Sequence, residues 1–193
     1  WQRLGAFVTE VMELAQISLT AEDFDQAFMA SLRRYGFAAL IHHPLDDDRV
    51  QRIYEAWRAF FGSGAASAYA MDPEAQDGYF SPEQAESARG FSQRDYKEYF
   101  QYYPWGRCPD FLQSDLNAHF EAAVALGARL LRCIAEQLPA TITAQLTEPL
   151  CAMIEQSGQS MLRVLHYPPF PAEETLLRAA PHEDINLLTL LPS

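Results

Sequence analysis

The spacing of the apolar residues changes from a helical to an alternating pattern near Gly158, and this change most limits the possible folds. Between residues 111 and 138 large apolar residues recur every three or four positions, which predicts a long buried helix that Pro139 ends. The later stretch QSMLRVLHYPPF alternates instead, which predicts a strand ended by Pro168. Because helices come first and strands later, the order predicts an α+β fold.

The rest of the chain carries shorter patterns of both kinds. The predicted helices cover residues 1–15, 21–35, 46–61 and 143–156. Gly36 ends the second helix, and aspartates open the third, where they favour the helix dipole. Strands are predicted at QISLT, at FAALIHH and again from near His182. Residues 62–110 are rich in Gly, Pro and aromatic residues, which predicts ordered loops and short strands packed by Tyr and Phe.

The composition excludes several classes of protein. The net charge of −12 repels phosphate backbones, so nucleic acid is not an expected partner. The three cysteines form no CxxC pair, which argues against a disulfide framework and a zinc ribbon and favours the reducing cytoplasm. No apolar run approaches the roughly 20 residues that cross a membrane, so no membrane partner is expected. The oligomeric state is not predicted.

His182 and Asp184 are separated by one residue and precede the apolar run INLLTLL. In a strand, residues i and i+2 share a face, so this imidazole and this carboxylate would project into the same cavity. They are residue types of the 2-His-1-carboxylate site, which binds Fe(II) through one octahedral face and leaves the other open. The alternative is a solvated loop before a strand.

The motifs around this pair resemble a known family. LRVLHYPPFP followed after a short loop by PHEDINLLTLL is similar to the isopenicillin N synthase-like branch of the iron(II)/2-oxoglutarate-dependent dioxygenases. RRYGFAALIHHPL and DYKEYFQYYPWG are similar to two earlier segments of the same family. The resemblance covers residues 16–193, with its motifs in the family's order.

This resemblance implies a double-stranded β-helix (jelly-roll) core with flanking N-terminal helices, truncated here before the barrel is complete. It implies Fe(II), O₂ and the cosubstrate 2-oxoglutarate, which is decarboxylated to succinate while a small-molecule substrate is oxidised, with hydroxylation as the default reaction. His182 and Asp184 match two of the family's iron ligands and are therefore the predicted metal-binding and catalytic residues.

Two residues of the predicted strand are candidates for binding the cosubstrate. Tyr167 matches a position whose hydroxyl commonly contacts 2-oxoglutarate in this branch, although Leu165 stands where relatives often have Asn. Arg163 shares the predicted face of Tyr167 and is a candidate for binding an anion. The alternatives are packing of Tyr167 against the barrel and pairing of Arg163 with an acid. His166 alternates to the opposite face and is expected to point away from the metal.

The remaining parts of such a site are expected beyond Ser193. In the family the distal His ligand and the Arg-x-Ser pair follow later, and the other histidines here all lie upstream of His182. The chain begins with Trp, both ends look cut, and we expect the natural protein to continue. Residues 1–193 are predicted to be one dioxygenase domain: an N-terminal region to about residue 110, long helices over 111–158, and first core strands over 159–193.

Two other functions stay open at this point. One is an oxidase of the isopenicillin N synthase type that uses no 2-oxoglutarate, and the other is a non-catalytic jelly-roll binding protein. Glu98, beside Lys97, is interpreted as part of a structural ion pair or a loop anchor. Tyr102, Tyr103 and Trp105 are expected in the core rather than in a substrate pocket. The sequence has no Gly-rich phosphate loop and no GxSxG motif.

Overall fold

The computed structural model describes residues 14–85, 95–155, 157–170, 178–180, 182 and 184–192. It divides into two compact units, residues 1–43 and residues 44–193. The helix predicted over 1–15 falls on residues 1–13, outside the described residues, and residues 14 and 15 are not helical.

The first unit is a strand–helix–strand arrangement. Strand β1 (Gln16–Ser18) pairs in parallel with strand β2 (Ala39–Ile41), and helix α1 (Phe24–Tyr35) connects them. Gly36 ends α1 in the left-handed conformation, with φ of 73°, and its N–H donates to Leu32 O. A residue without a Cβ adopts this conformation at little cost, so the predicted helix end is confirmed.

Two long helices dominate the second unit. Helix α2 (Asp47–Gly62) is capped at its N-terminus by Asp46, whose carboxylate accepts the N–H of Arg49 at 3.0 Å. Helix α3 (Asp110–Glu136) confirms the long helix predicted from the apolar spacing. A short 3-10 helix (Ala65–Tyr69) follows α2.

The helix predicted over 143–156 is wrong. Helix α4 (Ala140–Thr143) stops where that helix was expected to start, and residues 151–155 form hydrogen-bonded turns. Pro149 explains the difference, because its ring has no N–H to donate and clashes with the preceding turn of a helix.

A three-stranded antiparallel sheet packs against these helices. Strands β3 (Gly78–Phe80), β4 (Glu98–Tyr102) and β5 (Leu162–His166) lie in that order, and Phe100 in the central strand pairs with both Tyr79 and Val164. Strand β5 confirms the prediction from the alternating stretch. Strands β3 and β4 confirm the short strands expected within residues 62–110.

The core of this unit lies between one face of the sheet and helices α2 and α3. The ring of Trp57 contacts those of Phe60 and Phe100 at centroid distances of 5.1 and 4.8 Å. All three side chains are almost fully buried, and burying each aromatic side chain contributes on the order of 2–3 kcal/mol. The other buried members are Ala66, Tyr102, Leu112 and Leu116. Tyr102 and Tyr103 are thus buried as predicted, whereas Trp105 is 53% exposed.

The architecture is mixed α/β with two small sheets, of two and three strands, among the described residues. The strand predicted from near His182 is wrong, because His182 and residues 184–192 form neither helix nor strand. Tyr54 of α2 instead holds this segment through its hydroxyl, which donates to Pro192 O at 3.2 Å. Within the part of the chain described here, no helix is both long and apolar enough to cross a membrane.

Candidate metal centre

His182 and Asp184 lie next to each other in an irregular segment. His182 Nε2 is 3.3 Å from Asp184 Oδ1, and the two side chains are 53% and 60% exposed. The predicted proximity is therefore present, although neither residue lies in a strand. Both groups are open to a ligand from solvent.

The other ring nitrogen fixes the tautomer of His182. Nδ1 lies 2.8 Å from Ala180 O, and since a carbonyl only accepts, Nδ1 is the atom that carries the hydrogen and donates. In the neutral ring Nε2 then presents a lone pair to the Asp184 carboxylate. Two acceptors at 3.3 Å repel each other unless a cation or a second ring proton lies between them.

This pair fits a divalent metal ion. Nitrogen and oxygen ligands bind first-row divalent ions at about 2.0–2.2 Å, so two neighbouring ligands lie about 3.0 Å apart at a right angle and about 3.4 Å apart at a tetrahedral angle. The observed separation of 3.3 Å falls within this range. An Nδ1–H bonded to a main-chain carbonyl is also the usual orientation of a metal-binding histidine.

The segment before His182 is tied to the sheet region at two points. The N–H of Ala180 donates to Asp95 Oδ1 at 2.9 Å, and Lys97 Nζ donates to Asp95 Oδ2 at 2.9 Å. Arg178 Nη1 donates to Tyr167 O at 3.2 Å. The sequence places Asp95 and Lys97 in the family-like segment DYKEYF, but it gives no sign that Asp95 contacts Ala180.

Tyr167 and Arg163 are held by partners of their own. Tyr167 follows the last residue of β5, and the guanidinium of Arg178 lies 5.8 Å from its ring centroid. Arg163 donates to Gln101 Oε1 on the neighbouring strand, and its guanidinium lies 4.8 Å from the ring centroid of Tyr99. The partners of Arg163 thus include an amide and an aromatic ring on strand β4.

The opposite face of β5 carries a polar cluster against the helices. His166 Nδ1 lies 2.6 Å from Glu98 Oε1, and its ring stacks on Phe61 at 5.3 Å. The Tyr79 hydroxyl donates to the other oxygen of Glu98 at 2.5 Å. The pKa of Tyr79 is raised mainly because the hydroxyl is buried, and also because it bonds to this carboxylate. The side chains of His166 and Tyr79 therefore hold the Glu98 carboxylate, while Lys97 pairs with Asp95.

The described residues contain no group of three His, Cys, Asp or Glu side chains arranged to bind a metal. His42 Nδ1 lies 2.9 Å from Ser18 Oγ in the first unit. His119 is buried on α3, where burial and then the charge of Arg49 lower its pKa. His182 and Asp184 thus provide two potential ligands of one ion.

Comparisons with known proteins point to one family. A family model described as "non-haem dioxygenase in morphine synthesis N-terminal" matches residues 10–117. A 2-oxoglutarate-dependent dioxygenase from Aspergillus rugulosus is 26% identical to this chain, and the aligned region covers 93% of the chain and 62% of that protein.

Solved structures agree on the fold. A crystal structure from Shewanella oneidensis, assigned provisionally as an oxygenase, superposes with a TM-score of 0.78 and 43% identity over 91% of this chain and 64% of that one. JOX2 in complex with 2OG, Fe and JA superposes with a TM-score of 0.61 and 23% identity over 89% of this chain and 53% of that one. The chain thus spans between half and two thirds of the length of these relatives.

Proposed function

The chain belongs to the family of non-haem dioxygenases whose N-terminal region matches its residues 10–117, and from this membership we propose that it is part of an Fe(II)- and 2-oxoglutarate-dependent oxygenase. The relatives and structural neighbours include 2-oxoglutarate-dependent dioxygenases, and one neighbour contains both 2OG and Fe. The substrate is proposed to be a small molecule, and hydroxylation is the proposed reaction; the JOX2 complex contains JA beside 2OG and Fe.

The observation that carries this proposal is the arrangement of His182 and Asp184. The Nε2 lone pair and the carboxylate face each other at 3.3 Å, and the Ala180 carbonyl holds the ring by its other nitrogen. Such a pair is stabilised by a cation, and these two residue types belong to the facial triad that binds Fe(II). The third ligand is expected from a residue outside the described part of the chain.

In this proposal His182 and Asp184 bind the iron and leave its remaining positions to 2-oxoglutarate, O₂ and a third protein ligand. Iron, O₂ and 2-oxoglutarate together supply the oxidation, with decarboxylation to succinate coupled to oxidation of a substrate C–H bond. The chain's own residues orient these groups. Ala180 O keeps the hydrogen of His182 on Nδ1, so that Nε2 stays free to bind the metal.

Tyr167 stays the proposed contact of 2-oxoglutarate, supported by its position directly after β5 and by Arg178, which holds its main chain. Arg163 is also proposed as a cosubstrate contact, but its bonds to Gln101 and Tyr99 favour a role within the sheet. The finer family assignment, to the isopenicillin N synthase-like branch, rests on the motifs around Tyr167 and His182. The proposal that β3, β4 and β5 belong to a larger jelly roll rests on the same motifs. The predicted cytoplasmic location rests on the cysteine content alone.

The proposal is tested by adding Fe(II) and then 2-oxoglutarate to the full-length protein without oxygen. We expect a metal-to-ligand charge-transfer absorption band that His182→Ala and Asp184→Ala abolish. His42→Ala is the control, because this exposed histidine contacts Ser18 and belongs to the other unit. A normal band in either ligand variant would remove the assignment of the iron site.

The same experiment separates the alternatives. An oxidase of the isopenicillin N synthase type would bind Fe(II) but give no band with 2-oxoglutarate. A non-catalytic binding protein would show neither iron binding nor succinate formation after oxygen is admitted.

A further inference from the structure

Asp95 and Lys97 form a buried ion pair immediately before strand β4. The Oδ2–Nζ distance is 2.9 Å, and the two residues are only 5% and 7% exposed. The Lys97 ammonium also lies 5.9 Å from the ring centroid of Tyr99, which itself stacks on Phe80. Burying two charges costs free energy that their attraction only partly offsets, so a pair of this kind is weak evidence for a purely stabilising role.

The second oxygen of Asp95 binds a distant part of the chain. Oδ1 accepts the N–H of Ala180 at 2.9 Å, across 85 positions of sequence, and Ala180 is 2% exposed. Residues 178–180 form no helix or strand, so the N–H of Ala180 has no ladder partner and the carboxylate takes that place. Lys97 meanwhile fixes the direction of the Asp95 carboxylate, because its ammonium donates to the other oxygen.

Ala180 also makes the contact that orients the imidazole of His182. Its N–H is fixed by Asp95, and its carbonyl oxygen, on the other side of the same Cα, lies 2.8 Å from His182 Nδ1. The direction of the carbonyl therefore depends on how the Ala180 backbone is held. Two hydrogen bonds in series connect a buried charge at the start of β4 to the ring whose Nε2 faces Asp184.

We propose that Asp95 is a positioning residue for His182, acting through the Ala180 backbone, with Lys97 fixing the Asp95 carboxylate. This inference rests on the proposed function, because it assigns a role at the same iron site. Residues that hold metal ligands in place typically change metal affinity by about 10- to 100-fold when they are replaced.

Asp95→Asn tests the inference with little change of shape. Ala180 N–H and Lys97 Nζ bind different oxygens of Asp95, and Asn replaces one of these oxygens with an NH₂ group, so in the same pose one of the two donors faces another donor. Ala180→Pro is the second variant. It removes the N–H that Asp95 accepts but leaves the Asp95–Lys97 pair intact, so it separates loss of the backbone bond from loss of the charge pair.

Asp77→Asn is the matched control. Asp77 is also a buried carboxylate, 2% exposed, and it also pairs with a cation and accepts a main-chain N–H, in both cases from Arg107. The bonds of the Asp77 side chain are to Arg107, which lies outside the segment before His182. Both Asn variants should therefore lose stability, and only Asp95→Asn should disturb the iron site.

The measurements use the full-length protein without oxygen. Fe(II) affinity, the position of the charge-transfer band with 2-oxoglutarate, and the urea midpoint are recorded for each variant. We expect Fe(II) to bind about 10-fold or more weakly to Asp95→Asn and Ala180→Pro, with a displaced band, and to bind Asp77→Asn within about 2-fold of the wild type.

Each outcome decides between the proposals. If the wild type binds Fe(II) and the folded Asp95 and Ala180 variants bind it equally well with an unchanged band, the positioning role is overturned and the iron site stands. If Asp77→Asn weakens Fe(II) binding as much as Asp95→Asn, the effect is one of general stability and the positioning role is again overturned. If the wild type binds no Fe(II), the proposed function fails, and this inference fails with it.

Discussion

The pair formed by Asp77 and Arg107 offers the clearest test of how buried charge stabilises this fold. Asp77 is 2% exposed and lies directly before β3. Arg107 donates its main-chain N–H to Asp77 Oδ2 at 2.6 Å and its Nη2 to Asp77 Oδ1 at 2.8 Å. The same Nη2 group donates to Ala70 O at 3.0 Å, so one guanidinium joins three parts of the loop region.

Arg107→Ala removes the side-chain donors and leaves Asp77 with the main-chain N–H. Breaking a buried pair by deleting one partner costs about 3–5 kcal/mol, and a single hydrogen bond to a charged group contributes about 1.5–3 kcal/mol. The Arg107 side chain is 46% exposed, so water reaches the position it leaves, and this places the expected loss of unfolding free energy at about 2–4 kcal/mol. For a chain of this size that corresponds to a decrease in Tm of about 4–16 °C.

The pH dependence of this loss has a definite sign. Burial alone would raise the pKa of Asp77, but the hydrogen bonds and charge of Arg107 outweigh it and hold the pKa below the ordinary value of 3.8. The wild-type contribution is therefore fully present above that value and is lost only as the pH falls through the lowered pKa. Without the guanidinium, only main-chain hydrogen bonds oppose the effect of burial, so we expect the pKa of Asp77 to rise above its wild-type value. The destabilisation by Arg107→Ala should then decrease as the pH falls from 7 towards 5, because protonation relieves the buried charge.

Urea unfolding followed by circular dichroism at pH 7 and pH 5 measures both effects. The double variant Asp77→Asn with Arg107→Ala should lose less than the sum of the two single variants, because the second change no longer leaves a buried charge. A loss below about 0.5 kcal/mol at pH 7, or a loss that is the same at both pH values, would refute this reasoning, since surface substitutions cause changes of that size.

Two further predictions concern the same region. Gly78→Ala should lower the unfolding free energy, measured by urea unfolding, by about 1–3 kcal/mol, because Gly78 has φ of 94° and an added Cβ would lie 2.5 Å from Tyr69 O. Gly62→Ala is the control, since nothing lies within 4 Å of a Cβ added there. A cost for Gly78→Ala no larger than that of the control would contradict the prediction. Burial, and to a lesser extent the negative charge of Asp110, raise the pKa of Cys108 to about 12. In a Cys133→Ala, Cys151→Ala background its thiol should therefore react with a disulfide reagent at pH 8 far more slowly in the native state than in urea. Equal rates in the two states would show that the thiol is not protected.

Local sequence patterns predicted the elements whose causes are local. The apolar spacing predicted α3, the glycine at position 36 predicted the end of α1, and the aspartates predicted the start of α2. The helix expected over 143–156 shows the limit of this reasoning. Its apolar residues have a helical spacing, yet Pro149 within it removes a donor, and the structure forms turns there.

The proximity of His182 and Asp184 was predicted from a strand that the structure does not contain. A strand would place the two side chains on one face, whereas the structure brings them together in an irregular segment. Spacing along the chain alone cannot distinguish these two conformations, because both allow residues i and i+2 to meet. The contact between Asp95 and Ala180 could not be predicted at all, since a single sequence contains no signal that joins positions 85 residues apart.

The two buried carboxylates share a physical function that connects fold and site. Asp77 and Asp95 each lie just before a strand of the sheet, each pairs with a cation, and each accepts a main-chain N–H, from Arg107 and from Ala180. Both of these N–H groups lie in segments without helix or strand, where no ladder can satisfy a buried donor. A charged acceptor binds such a donor more strongly than a neutral one, so it holds an irregular segment at a defined place on a regular one. At Asp77 the segment held is a turn after β4, and at Asp95 it is the approach to His182, so the same device stabilises the fold at one place and orients the proposed iron ligand at the other.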